Sequence, residues 1–232
     1  MRTIITCLAV AIAFASCSSS KKTINFPKRP NEVFANNNLK EFFKTNGSPN
    51  IVLRVPNTDD KATSNTSTNK DNNVLWNAIE KELLRQGFSV RDRGLFNEII
   101  NKTGSTDYSK IKDLTNTDLI LEVVNIDPKV VYTTNKVTLT GKKRVTQQIG
   151  EIDYKRYGAS VEFRLIMVKN NEIAGSYKYN YEPCVNGCEL ASFNFKGKRN
   201  RREVELRETI SVNILEEFIK VCTQDLTKSF KS

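Results

Sequence analysis

The 232-residue chain contains no histidine. That removes the side chain that titrates near neutral pH, the usual general base and the commonest metal ligand. Triads, dyads and zinc sites built on histidine are excluded with it. The ten glycines are scattered, so no glycine-rich phosphate loop appears. No Ser or Cys nucleophile has a candidate base in the sequence. Long apolar runs are missing too: nothing after residue 17 reaches the roughly 20 residues that a spanning helix needs. The chain reads as a non-enzyme with no cofactor and no metal.

What is present is a core and a positive charge. Hydrophobic residues make up 38% of the chain, enough to rule out wholesale disorder. The length suits one domain with insertions. Lys and Arg number 36 against 26 Asp and Glu, a formal net charge of +10. Such a balance favours anionic lipid or an acidic partner.

The first residues give an address. Met1-Arg2-Thr3 is a short positive start, and Ile4 to Ala15 is apolar apart from Thr6. Small residues then precede Cys17. This is the pattern of a secretory signal peptide over residues 1–16. Ala15-Ser16-Cys17 resembles the lipobox of bacterial lipoproteins, although Phe14 stands where that motif has an aliphatic residue. The resemblance implies cleavage before Cys17 and diacylglycerol on its sulfur. An ordinary signal peptide that ends in Cys is the other reading. No Asp follows Cys17, which by the same resemblance directs the protein to the outer membrane, lipid-anchored and facing the periplasm. An exported chain does not work on nucleic acid, so Lys196, Lys198, Arg199, Arg201 and Arg202 read as a solvated face.

Residues 17–32 are polar with Pro27 and Pro30, and read as a lipidated tether to a domain over 33–232. Leu39 to Lys44 suits a short helix, and Ile51 to Val55 a strand. Residues 57–73 hold almost nothing apolar and read as a mobile loop. Val74 to Gln86 has helical spacing and stops at Gly87. Phe88-Ser89-Val90 reads as a strand. Asp92 then caps a helix with Leu95, Phe96, Ile99 and Ile100 on its buried side. Asp118 to Asp127 reads as a central strand. The alternation is α/β.

The second half turns to strands. Val161, Phe163, Leu165 and Met167 alternate, and Asn170-Asn171 turns the chain. Tyr177, Tyr179 and Tyr181 then share a face. Val204 to Phe230 reads as a long helix with Ile210, Ile214, Phe218, Cys222 and Leu226 on its stripe, broadened by Leu215 and Ile219. Cys184 and Cys188 flank the turn dipeptide Asn186-Gly187. In an oxidising periplasm they are expected to form a disulfide. Cys222 on the apolar stripe reads as a buried thiol. Arg91-Asp92-Arg93 reads as a cap with solvated charges, with an acid–base or phosphate site as the other reading.

The stretch Leu84-Arg85-Gln86-Gly87-Phe88-Ser89-Val90-Arg91-Asp92-Arg93-Gly94-Leu95-Phe96-Asn97-Glu98-Ile99 resembles the helix–strand–helix signature of the curli secretion-channel lipoprotein family (CsgG-like). Leu114 to Val124 resembles its next unit, with Thr117-Asp118 in place of Ala-Asp, and Val161 to Gly175 its strand–turn–strand. The likeness spreads over most of residues 50–225, and none of its motifs is catalytic. It implies an anticodon-binding-domain-like mixed sheet flanked by helices, with two β-hairpin insertions and a long C-terminal helix. The hairpins would be residues 129–157 and 177–197. The likeness further implies an oligomerising outer-membrane lipoprotein that secretes or assembles extracellular polymers such as curli-type fibres. Related domains stay soluble and regulate a cell-wall synthase, which is the alternative here. In either case the partners are outer-membrane lipid through Cys17, other copies of the chain, and a secreted or periplasmic protein.

Overall fold

A computed structural model describes residues 21–55, 66–103, 108–140, 144–148, 154–185, 187–189 and 210–230. Cys17 and the basic residues 196–202 lie outside that set. The fold is mixed α/β. Among the described residues a six-stranded sheet has the order β2-β9-β8-β5-β3-β4. Its strands are β2 (Glu32–Ala35), β3 (Asn50–Arg54), β4 (Ser89–Arg91), β5 (Leu119–Thr134), β8 (Tyr154–Met167) and β9 (Glu172–Tyr181). The parallel strands β3, β4 and β5 stand at one side, and antiparallel β8, β9 and β2 complete the other.

Strand alternation sends each sheet residue to one of two cores. Ile51 and Leu53 of β3, Leu119, Leu121 and Val123 of β5, and Phe163 and Leu165 of β8 face the larger core. Three helices cover it: α1 (Asn37–Thr45), α2 (Thr66–Arg85) and α5 (Val212–Phe230). On the other face Val52, Ile120 and Ile166 meet Phe96 of α3 (Arg93–Thr103) and Tyr108 of α4 (Tyr108–Thr115).

Several local expectations are met at the level of single bonds. Leu95 N–H donates to Asp92 Oδ1 at 2.6 Å, so Asp92 is the cap of α3. Phe88 N–H donates to Leu83 O and Gly87 N–H to Leu84 O, the paired bonds that close a helix on a left-handed residue. Other expectations need correction. Helix α2 starts at Thr66, so residues 66–73, read as loop, are helical. The apolar turns Val74 to Leu83 supply the nucleus, and adding a polar turn to an existing helix requires no new burial. Leu95 is exposed, not buried; Phe96 takes the core position. The last helix starts at Val212, with Ile210 and Ser211 outside it. Its buried stripe is Leu215, Ile219, Cys222, Leu226 and Phe230, while Ile214 is exposed. Leu215, Ile219, Cys222 and Leu226 of the expected stripe are thus buried, Ile214 is not, and Phe230 extends the stripe by docking among Phe43, Phe88 and Tyr177.

The largest correction concerns the expected tether. Residues 21–24 form strand β1 (Lys21–Ile24). It pairs antiparallel with β6 (Lys136–Thr140) and β10 (Cys188–Glu189), and β7 (Arg144–Gln148) completes a second sheet of order β10-β1-β6-β7. Ile24 and Phe26 are buried against Val130, Tyr132 and Val137. The polar, proline-bearing composition of 17–32 hid two apolar anchors that find partners more than a hundred residues away.

Candidate functional site

Three places in the fold gather side chains able to do something beyond filling a core. The first is the junction of the two sheets. Strands β5 and β8 stay paired past the edge of the large core, from Val130↔Gly158 to Thr134↔Tyr154. This ribbon leads directly into the β6–β7 hairpin. The segment 129–157, read as a candidate membrane hairpin, is thus a ribbon plus a hairpin whose described arms are five residues each. Tyr132 is the centre of the junction. Phe26 meets its ring edge-on at 6.4 Å, and the Arg29 guanidinium lies 4.8 Å over it. Gly158, which pairs with Val130, must be glycine, since a Cβ there would run into the Tyr132 ring and the Tyr181 carbonyl oxygen. Burial pushes the Tyr132 phenol above its ordinary pKa.

The second place is the cysteine loop. Cys184 and Cys188 are joined as a disulfide with Cα atoms 5.1 Å apart. Gly187 N–H donates to Cys184 O at 2.7 Å, and Gly187 takes a φ of +83°, which a side chain would strain. The loop sets Cys188 opposite Ile24 and Glu189 opposite Thr23, so it clasps β1 into the small sheet. The second candidate membrane hairpin, 177–197, takes another form in its described part. Tyr177 to Tyr181 belong to β9 inside the six-stranded sheet, and β10 pairs with β1 rather than with β9. Residues 190–197 lie outside the described set. The tyrosines of β9 face α5, Tyr177 against Phe230 and Tyr181 against Phe218.

The third place is the sheet face that α3 and α4 leave open. Charged side chains form a ladder across it. Glu122 on β5 bonds Arg54 of β3 at 3.0 Å and Arg164 of β8 at 3.1 Å. Arg54 also donates to the Tyr108 hydroxyl. One step along, Glu162 bonds Lys178 at 2.6 Å, and Lys178 stands opposite Glu32 of β2. The carboxylate beside Lys178 holds its ammonium above the ordinary pKa. Each rung is a directly opposed cross-strand pair, so the signs lock the register. The periodicity of single strands revealed the alternation, but only the strand order shows that the charges meet.

Arg91, Asp92 and Arg93 sit where β4 passes into α3. Asp92 is occupied as the cap, Arg91 Nη2 donates to Asn50 Oδ1 at 2.9 Å, and Arg93 Nε lies 3.7 Å from Glu80. Asp92 is thus the cap that the first reading expected, and beside Arg93 burial raises the Glu80 carboxyl above its ordinary pKa. Cys222 is buried, and burial raises its thiol pKa, which keeps it protonated and inert. Among the described residues no cluster of three His, Cys, Asp or Glu is placed to hold a metal ion. No described helix is long and apolar enough to cross a membrane. No protein-family model and no curated protein sequence matches this chain.

Proposed function

We propose that the chain is an outer-membrane lipoprotein, anchored by diacylglycerol on Cys17, whose CsgG-like domain faces the periplasm and acts by binding other proteins, copies of itself included. It is a non-enzymatic module of an envelope assembly. The observation that carries this reading is how the β5–β8 ribbon uses its apolar side chains. Val130, Tyr132 and Val137 turn inward onto Ile24 and Phe26, while the outward positions hold Lys129, Thr133 and Lys136 and a single exposed apolar residue among those described, Val131. A strand facing lipid needs an outward apolar band roughly 9–11 residues long. The ribbon in this arrangement therefore suits water on its outer side. That favours a soluble module, such as a regulator of a cell-wall synthase, over a subunit that itself builds a secretion barrel.

The barrel reading, secretion of polymers such as curli-type fibres, keeps one observation in its favour. The ribbon and hairpin form a long projection at the position where the resemblance places a membrane strand pair. The ordered β1 strand also bears on the anchor. Three serines separate Cys17 from Lys21, so the four Cα-to-Cα steps reach about 14 Å at full extension. The small sheet then sits close beneath the headgroups. The test is the mass and shape of the lipidated protein after mild detergent extraction of outer membranes. A particle without a transmembrane hole supports the module. A ring with a membrane-embedded pore overturns it in favour of secretion.

A further inference from the structure

We propose that the two free edges of the six-stranded sheet, β2 and β4, are the two halves of one interface, through which copies of this chain join head to tail. The inference rests on the reading of the chain as a self-associating module and names the surface that would do it. Among the described residues β2 and β4 are the end strands, each with one unpaired side. Edges of this kind template another strand unless shortness, charge, proline or a covering element blunts them; β2 and β4 are short, four and three residues, and what marks them for pairing is the apolar side chains they leave in water. Here the outer strand β2 carries Val33 and Phe34 at 53% and 67% exposure. Beside β4, Leu84 is 56% exposed. It lines a depression of about 370 Å³ together with Glu80, Val90 and Arg91.

Strand direction fits. β4 runs parallel to β3 and β5, β8 runs against them, β9 against β8, and β2 against β9. A continued sheet therefore brings β2 of one copy antiparallel to β4 of the next. The backbone parity fits as well. Ser89 N–H is bonded inward to Pro49 O, so Val90 turns its N–H and C=O outward. Asn36 N–H is bonded inward to Ala174 O, so by alternation Val33 turns its own pair outward.

Pairing Val33 with Val90, outward group to outward group, fixes the register. It sets Glu32 opposite Arg91 and Phe34 opposite Ser89. Both charges lie on the same sheet face. Glu32 stands opposite Lys178 there, and Arg91 stands opposite Val52, which faces α3. The new Glu32–Arg91 contact would add an intermolecular rung to the ladder that crosses each sheet. On the other face Val33 would reach Leu84 and Val90. Two different edges make the contact heterologous, so copies close into a ring or extend as a filament.

The test uses the lipidated full-length mature protein in mild detergent. Chains with Val33→Cys are mixed with chains with Val90→Cys under mild oxidation. Paired residues in this register have Cα atoms about 5.5 Å apart, within bridging range. Within one chain the two edges are separated by five strand spacings, about 24 Å, so only an intermolecular bridge can form. The expected result is a dimer containing one of each chain, and none when Ser89→Cys replaces Val90→Cys. A bridge between two Val33→Cys chains would reveal two-fold pairing and overturn the head-to-tail assignment. No bridge in a protein that still self-associates overturns the edge assignment and leaves the oligomeric reading standing. A wild-type protein monomeric at every concentration overturns both. As a second readout, Glu32→Arg weakens association about tenfold, and Glu32→Arg with Arg91→Glu recovers it; no change in either variant counts against the rung.

Discussion

The six-stranded sheet and the four-stranded sheet solve the same problem with different means. The larger one has helices on both faces and residues such as Phe163, Leu121 and Ile219 packed out of water. The smaller one has a short core of Ile24, Phe26, Val130, Tyr132 and Val137, to which no described helix contributes. It gains order from neighbours: the ribbon that feeds it, the N-terminal strand laid across it, and the disulfide that holds β10 on β1. Apolar burial contributes about 25 cal/mol per Å², so a sheet with one thin apolar face gains little from burial alone. Cross-links and a few close fits then carry much of its stability.

That contrast can be broken from either end. The largest effect is expected from Phe163→Ala in the large core, which costs about 3–5 kcal/mol and lowers the stability of both sheets together in a urea melt. A local loss, with the rest of the sheet unchanged, would mean the two-sided core is less cooperative than its packing implies. Next comes the junction. Gly158→Ala forces a methyl group into the Tyr132 ring and the Tyr181 carbonyl and costs about 1–3 kcal/mol. Hydrogen exchange should quicken first in β1 and β6; exchange that quickens evenly through all strands counts against a separable small sheet.

Replacing Cys184 and Cys188 together by Ser removes a closed loop of about five residues, a loss of about 2 kcal/mol in the chain-entropy account. The loss should fall on the amides of β1 and β10 and leave β3 and β5 as protected as before. Glu82 offers a smaller, pH-dependent effect in the large region. Burial by itself raises its pKa, but hydrogen bonds from Gln86, Gln224 and Arg85 outweigh burial and hold it below the ordinary 4.5. Its folded pKa is depressed, so its contribution is complete above about pH 4.5 and fades as pH falls through the folded value. Glu82→Gln is therefore less stable than wild type near neutral pH, and the two converge in acid; a gap that is constant from neutral to acid pH excludes this role. The smallest effect is Tyr132→Phe. Among the described residues the Tyr132 hydroxyl is buried without a hydrogen-bond partner, so its removal is neutral to stabilising, by about 1 kcal/mol or less. A loss of stability in thermal melting would mean that the hydroxyl has found a partner.

The sequence was most readable where one strand or helix decides its own pattern. The alternation of Val161, Phe163, Leu165 and Met167, the cap at Asp92 and the stop at Gly87 are local statements, and each is realised. It was least readable where the partner is remote. Asn25 bonds Thr138 across 113 positions, and the segment holding Asn25 looked like a linker because only Ile24 and Phe26 in it are strongly apolar. Leu95 and Ile214 misled for a related reason. Periodicity marks a stripe but not the half-turn of it that faces a neighbour, and Phe96 and Phe230 settled that choice by their packing. The charge ladder was invisible beforehand, because Glu122, Arg164, Glu162 and Lys178 are unremarkable until strand order sets them side by side.

By itself, then, the sequence determined the mixed α/β class and the faces of its main elements. It also placed two cysteines close enough to clasp and offered no histidine for chemistry. Tertiary structure alone decided that residues 21–29 are part of the domain, that the ribbon turns most of its apolar side chains inward, and that β2 and β4 end the sheet among the described residues. The physical reason is range. Backbone geometry repeats every two or 3.6 residues and writes itself into neighbouring positions, whereas strand order and edge exposure depend on which distant segments close on one another.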